Sequence, residues 1–154
     1  MTRLIWLVLV VLVCACGSSQ SGDRRAFLVA AEAGDTAGVR RELEAGIEPD
    51  EVFNRNDPTA LYLAATNGHK EVVRVLLEAG ADPTADYKGS SLRTEIRAFR
   101  ARLKEIHSNP EAPSGTYRKQ DGTTVDLRSL PLHDDAYEPI LEMIEDAAKK
   151  RAAK

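Results

Sequence analysis

The feature that most restricts this chain is an internal repeat with a period of 34 residues. Shifted by that distance, Ala30-Ala31-Glu32-Ala33-Gly34-Asp35 lies on Ala64-Ala65-Thr66-Asn67-Gly68-His69. Phe27 falls on Leu61, Val29 on Leu63, Val39 on Val73 and Leu43 on Leu77. Glu44-Ala45-Gly46 falls on Glu78-Ala79-Gly80, and Pro49 on Pro83. Self-similarity at such a period marks a stack of supersecondary units, none of which can bury its apolar face alone. Each unit here reads as a pair of helices. Ala64 and Ala65 are small where two helices must approach closely. Gly68 and Gly80 stand where a helix stops and φ has to turn positive. Val72, Val73, Leu76 and Leu77 form an apolar stripe along the second helix. Such stacks usually need three units or more, so two clear copies require the rest of the chain to supply the end.

The second copy, Thr59 to Thr84, has a Thr-x-Leu start, Ala64-Ala65, Gly68-His69, a Val-Val/Leu-Leu helix and Gly80-Ala81-Asp82. In this it resembles an ankyrin repeat over its full length. Ala60 takes the place of the family's usual Pro and Tyr62 that of its usual His. The resemblance implies a mostly all-α fold, an ankyrin-repeat helical solenoid of helix–turn–helix units joined by hairpin-like loops. It also implies a protein-binding scaffold, whose partners contact the loop tips and the exposed face of each first helix. Carried over by position, the tips are Arg55, Asn56 and Pro58, then Tyr87 and Lys88. The first-helix positions are Thr66 and Asn67, with Glu32 and Ala33 in the first copy. Tyr87 is the most anchor-like of these by residue type. Plain solvent exposure is the competing reading for each.

A third unit opens at Asp86-Tyr87-Lys88-Gly89-Ser90-Ser91-Leu92 and then departs from the pattern. Leu92, Ile96, Phe99, Leu103 and Ile106 are spaced 4, 3, 4 and 3, which predicts one uninterrupted amphipathic helix. It should stop before Asn109-Pro110. Arg93, Arg97, Arg100 and Lys104 recur at 4, 3 and 4, a basic stripe on one face of that helix. The stripe is either a solvated face or a contact for an acidic partner or anionic headgroups.

Ser108 to Gly115 is loop chemistry. Thr116–Lys119 and Thr123–Asp126, flanking Gln120-Asp121-Gly122, predict a short β-hairpin. Asp135-Ala136-Tyr137-Glu138 reads as a capping box. Tyr137, Ile140, Leu141, Ile144 and Ala148 then recur at helical spacing, with Pro139 awkward beyond a first turn. Lys149-Lys150-Arg151 suits a helix C-terminus. This last helix is expected to cover the open end of the stack.

The N-terminus has a separate logic. Residues 1–16 hold both cysteines and the single Trp. Arg3 precedes an unbroken apolar run, Leu4 to Val13, which is short for a bilayer span and suits a signal-peptide core. Val13-Cys14-Ala15-Cys16-Gly17 resembles a bacterial lipobox, with Cys16 at the modified position. That resemblance implies a lipoprotein acylated at Cys16 and, since Gly17 is not Asp, anchored at the outer membrane facing the periplasm. An ordinary secreted protein cleaved after Ala15 is the alternative. The expected organisation is therefore a signal peptide 1–15, a flexible tether 16–24, repeats 25–53, 54–85 and a degenerate 86–107, then loop, hairpin and capping helix 108–154.

Catalytic chemistry is sparse. His69, His107 and His133 are scattered without metal-ligand spacing. No phosphate-binding, nucleophile-elbow or dinucleotide fingerprint is present. His69 reads as a structural hydrogen bonder at a helix start, and His133-Asp134-Asp135 as capping. A net charge of −3 disfavours nucleic-acid binding. The expectation is a monomeric protein without cofactor or metal that binds another protein. Two roles fit: an envelope scaffold that holds or regulates a resident protein, or an immunity-type inhibitor of a membrane-active, lipase-like toxin. An enzyme with a site in 108–135 is the remote third.

Overall fold

The structure, a computed structural model, describes residues 23–54, 57–132 and 134–153. The expected signal peptide, Cys16, the greater part of the expected tether, and Arg55, Asn56 and His133 lie outside the described residues.

The two repeats are helix pairs with the same punctuation. Helix α1 (Arg24–Ala33) opens on Asp23, whose carboxylate accepts from the amides of Arg25 and Ala26. The Asp23 amide donates to Glu42 Oε2 at 2.8 Å. This cap shortens the expected tether by two residues, because Asp23 and Arg24 already belong to the folded domain. Helix α2 (Thr36–Glu44) is capped by Asp35. In the second copy α3 (Ala60–Thr66) is capped by the Thr59 hydroxyl, and α4 (Lys70–Glu78) follows after Gly68-His69. Gly34 and Gly68 sit at φ 78° and 77°, the left-handed conformation that ends each first helix.

His69 is a hydrogen bonder at a helix start, as expected, but its side chain makes no cap bond to its own helix. Its Nε2 donates instead to the carbonyl of Glu32 in the preceding repeat, at 2.8 Å. A Cβ at Gly34 would lie 2.6 Å from His69 Nδ1. The Gly68-His69 junction thus does two things: it turns the chain, and it locks the second repeat onto the first.

The core runs between the layers. Phe27, Ala31, Val39, Ala60, Leu61, Ala64, Ala65, Val73 and Leu76 are fully buried. The alanines let α1 and α3 approach closely, as the sequence implied. Val75, outside the expected stripe, is buried with them.

The third unit is larger than expected. It enters through a small hairpin, β1 (Asp86–Tyr87) and β2 (Ser90–Ser91). Lys88 and Gly89 have φ 53° and 82°, the two left-handed residues of a tight hairpin turn. Helix α5 (Leu92–Ser108) is the continuous amphipathic helix that the spacing predicts, capped by Ser91. It packs on α3 as α3 packs on α1. The last helix, α6 (Asp134–Ala152), packs on α4 as α4 packs on α2, and against α5 as its own pair. So α6 is the second helix of a third repeat rather than a separate cap. Residues 109–133 are an insertion between the two helices of that repeat, and the expected boundary at 108 disappears.

Asp135 lies inside α6, which begins at Asp134, so the expected capping box is not formed at that residue. Pro139 is accommodated within the helix. Burial of Tyr137, Ile140, Leu141 and Ile144 offsets the hydrogen bond that a proline removes. The insertion holds the expected hairpin, β3 (Thr116–Arg118) with β4 (Thr124–Asp126), in the register Tyr117↔Val125. Gly122, at φ 91°, closes its turn. A 3-10 helix, Leu127–Ser129, then lies along α5.

Candidate binding surface

Two surfaces of the stack were expected to receive partners, and the structure treats them differently. The inner surface, at the C-terminal ends of the first helices, is occupied by the chain itself. Thr66, expected to be exposed, is 3% accessible. Its hydroxyl donates to the carbonyls of Tyr62 and Leu63 at 2.8 and 3.2 Å. Its own carbonyl accepts from the Tyr137 hydroxyl at 2.7 Å. Asn67 is half-buried, and its Nδ2 donates to the Leu63 carbonyl at 2.8 Å. Glu32, also expected outside, is 7% accessible. Its carboxylate accepts from the Tyr117 hydroxyl at 2.5 Å and from the Gln120 amide at 2.6 Å. Of the two positions expected on this surface of the first repeat, Ala33 is the exposed one.

The Tyr117 ring leans on Phe99, with centroids 6.2 Å apart. Burial, reinforced by the neighbouring Glu32 carboxylate, raises the Tyr117 phenol above its usual range. The phenol therefore stays protonated and donating. The hairpin thus covers Glu32, and the first turn of α6 covers Thr66, two of the positions read as partner contacts. Sequence alone could not show this, because Glu32 and Tyr117 are separated by the whole second repeat.

The tip surface, by contrast, presents exposed side chains. Its described part is formed by residues 45–54, 57–59 and 79–91 of the two loops between repeats. The Asp50 carboxylate ties them together by accepting from the Asp82 amide at 2.9 and 3.1 Å. Asn54 and Asp57 close the first loop, with the Asn54 amide donating to Asp57 Oδ2 at 2.9 Å. Pro58 is half-buried behind them. Phe53 stands out at 49% exposure, the one large apolar side chain so exposed among the described residues. The Arg24 guanidinium lies 5.7 Å from its ring centroid. The sequence reading missed Phe53; its signal was an aromatic residue outside every helical stripe.

In the second loop Tyr87 is half-buried against Tyr62, with centroids 4.4 Å apart. Lys88 is exposed, with its ammonium 5.0 Å from the Tyr87 ring. Burial first, and then the Glu95 charge, push the Tyr62 phenol up to about 12. Tyr62 thus replaces the family's usual histidine with an aromatic shelf on which Tyr87 rests.

The basic stripe on α5 faces α6. Arg93 pairs with Glu145, and Arg100 with Glu138 at 2.6 Å. The Arg100 guanidinium also lies 5.6 Å from the Tyr137 ring centroid. The hydrogen bond and charge of Arg93 hold the Glu145 carboxyl below its usual range, with Arg97 contributing. Two of the four stripe residues, Arg93 and Arg100, thus pair α5 with α6, while Arg97 is solvent-exposed. Lys104 is engaged as well.

A shallow cleft of about 400 Å³ between α4 and the end of α6 is lined by Leu77, Pro83, Ala147, Lys150 and Arg151. Among the described residues no cluster of histidine, cysteine or carboxylate side chains could hold a metal ion. Nor is any described helix long and apolar enough to cross a membrane.

No curated protein matches the chain. A family model, ankyrin repeats (3 copies), matches residues 5–87, more than half of the sequence. The match ends at Tyr87, just before α5. The third repeat, with its long helices and inserted hairpin, lies beyond it. Stacked helix pairs joined by loops are the architecture that this family uses to bind other proteins, and the chain belongs to the ankyrin-repeat family.

Proposed function

We propose that this chain is a non-catalytic, lipid-anchored scaffold that engages a partner protein through its loop tips at the periplasmic face of the outer membrane. The observation that carries the reading is the open tip surface. Phe53 is half-exposed there beside Arg24, and Tyr87 and Lys88 sit on the neighbouring loop. Aromatic side chains backed by a cation are the residue types that dominate protein interfaces. The inner surface, by contrast, has its polar groups satisfied within the chain.

The anchor reading rests on Val13-Ala15-Cys16 and the apolar run before it. Acylation at Cys16 with more than one chain would hold the domain firmly at a membrane. Residues 17–22 would then be the tether that leaves the tip surface free to reach a partner.

The test is a paired pull-down from envelope extract. The chain from residue 22 onward is used as bait beside the same bait carrying Phe53→Ser and Tyr87→Ala. A partner retained by the first and lost by the second supports the reading. The same proteins on both baits would contradict the tip assignment. Fractionation tests the anchor: Cys16→Ser should move the protein to the soluble fraction, and continued membrane association would contradict it.

A further inference from the structure

We infer that the hairpin Thr116–Asp126 is a displaceable plug in a second binding site centred on Glu32, and that the site takes a partner segment of the same chemistry. That segment is a β-turn presenting a phenolic hydroxyl and a free backbone N–H. The inference rests on the reading of the chain as a protein-binding scaffold, but its test needs no tip-surface partner.

Glu32 is the starting point. It is a carboxylate at 7% exposure, and no ion pair neutralises it among the described residues. A buried carboxylate needs strong donors to be tolerated. Its two donors, the Tyr117 hydroxyl and the Gln120 amide, both come from the hairpin. The equivalent residue one repeat later behaves differently. Thr66 turns its hydroxyl back onto its own helix and asks nothing of a neighbour. Glu32 is thus an acceptor aimed out of the repeat stack. The His69 bond to its backbone carbonyl, 2.8 Å long, fixes the helix end from which it reaches.

The hairpin is built to leave. Its strands are three residues each, and a two-stranded hairpin of that size is marginal without support. Its ties to the repeats are few: Tyr117 and Gln120 meet the Glu32 carboxylate, and Tyr117 also touches Asn67 and Phe99. Its base is held separately: Ala112 and Leu130 are buried, the 3-10 helix lies along α5, and Arg128 donates to the Ala112 carbonyl at 3.0 Å. The tip of the insertion can therefore lift while its base stays on the third repeat. What it uncovers is a site that already binds a tyrosine and a turn amide.

Hydrogen exchange on the full chain tests this directly. The Lys119 and Gln120 amides should exchange at least about 100-fold faster than those of Leu63 and Ala64 in α3, which need larger opening. Glu32→Gln should speed the hairpin amides by about tenfold while leaving α3 unchanged. Hairpin amides as slow as those of α3 would make the hairpin a fixed part of the fold and overturn the inference.

A second experiment probes the site itself. Residues 114–128 are replaced by a Gly/Ser linker, and a synthetic peptide of residues 114–128 is titrated in. The peptide should bind, and Glu32→Ala in the same background should weaken it by at least about tenfold. Binding indifferent to Glu32, or no binding to the folded variant, would overturn the inference. If the linker variant does not fold, the exchange result on the full chain decides alone.

Discussion

The second and third repeats bury their helices by different means. In the second, small residues do the work: Ala60, Ala64 and Ala65 are fully buried, and Gly68-His69 turns one helix directly into the next. In the third, the helices are 17 and 19 residues long and an insertion separates them. They are matched by the aromatic ring of Tyr137 and by arginine–glutamate pairs across their faces. A repeat whose pairing is encoded in a local connector leaves little room for extra chain. A repeat whose pairing is encoded in side chains far apart in sequence can accept an insertion. That freedom allows the hairpin to reach back to Glu32.

If both repeats belong to one stack, deep truncations in either should cost the same. Leu61→Ala and Ile140→Ala, both at sites with no exposure, should each destabilise the chain by about 3 kcal/mol in denaturant titration. A cost for Ile140→Ala below about 1 kcal/mol would separate the third repeat from the other two.

The local connector has its own test. Gly34→Ala forces a side chain into left-handed backbone and against the His69 ring, at a cost of about 2 kcal/mol. Part of that cost should disappear in a His69→Ala background, which removes the clash but not the backbone strain. Equal costs in both backgrounds would dissociate the glycine from the histidine lock.

Tyr137→Phe tests the long-range encoding. It removes the hydroxyl that satisfies the Thr66 carbonyl, and thermal unfolding should register about 1 kcal/mol.

The smallest effect belongs to the surface pairs. The folded-state value of Glu145 is lowered by Arg93, so its contribution is present above its ordinary carboxyl range and fades as pH falls through the folded value. Below pH 4.5, the ordinary value for the group, wild type should lose slightly more stability than Arg93→Ala does. Parallel pH profiles would show that this pair adds nothing.

These contrasts also explain what was legible in the sequence. The second repeat was readable almost to the residue, because its glycines, alanines and valines act locally and at fixed spacing. Helix α5, the hairpin and the apolar face of α6 were each readable from periodicity. Their assembly was not, since the α5–α6 pairing depends on Arg93 meeting Glu145 and Arg100 meeting Glu138 across the insertion. The binding surface was half legible. Position within the repeat located the tip loops, but exposure of Thr66 and Glu32 could not be read without knowing where the hairpin folds back. The basic stripe is visible in the sequence as a stripe, but its acidic counterparts Glu138 and Glu145 lie on a helix that only the fold brings alongside.

Native-state hydrogen exchange across the full chain tests most directly whether α6 is the second helix of a third repeat. The amides of Leu141 and Ile144 in α6 should open with the same free energy as those of Val73 and Leu76 in α4, within about 1 kcal/mol, in one cooperative unit. If α6 instead opens several kcal/mol more easily while α3 and α4 stay protected, it is an appended cap, and the third repeat does not exist as described.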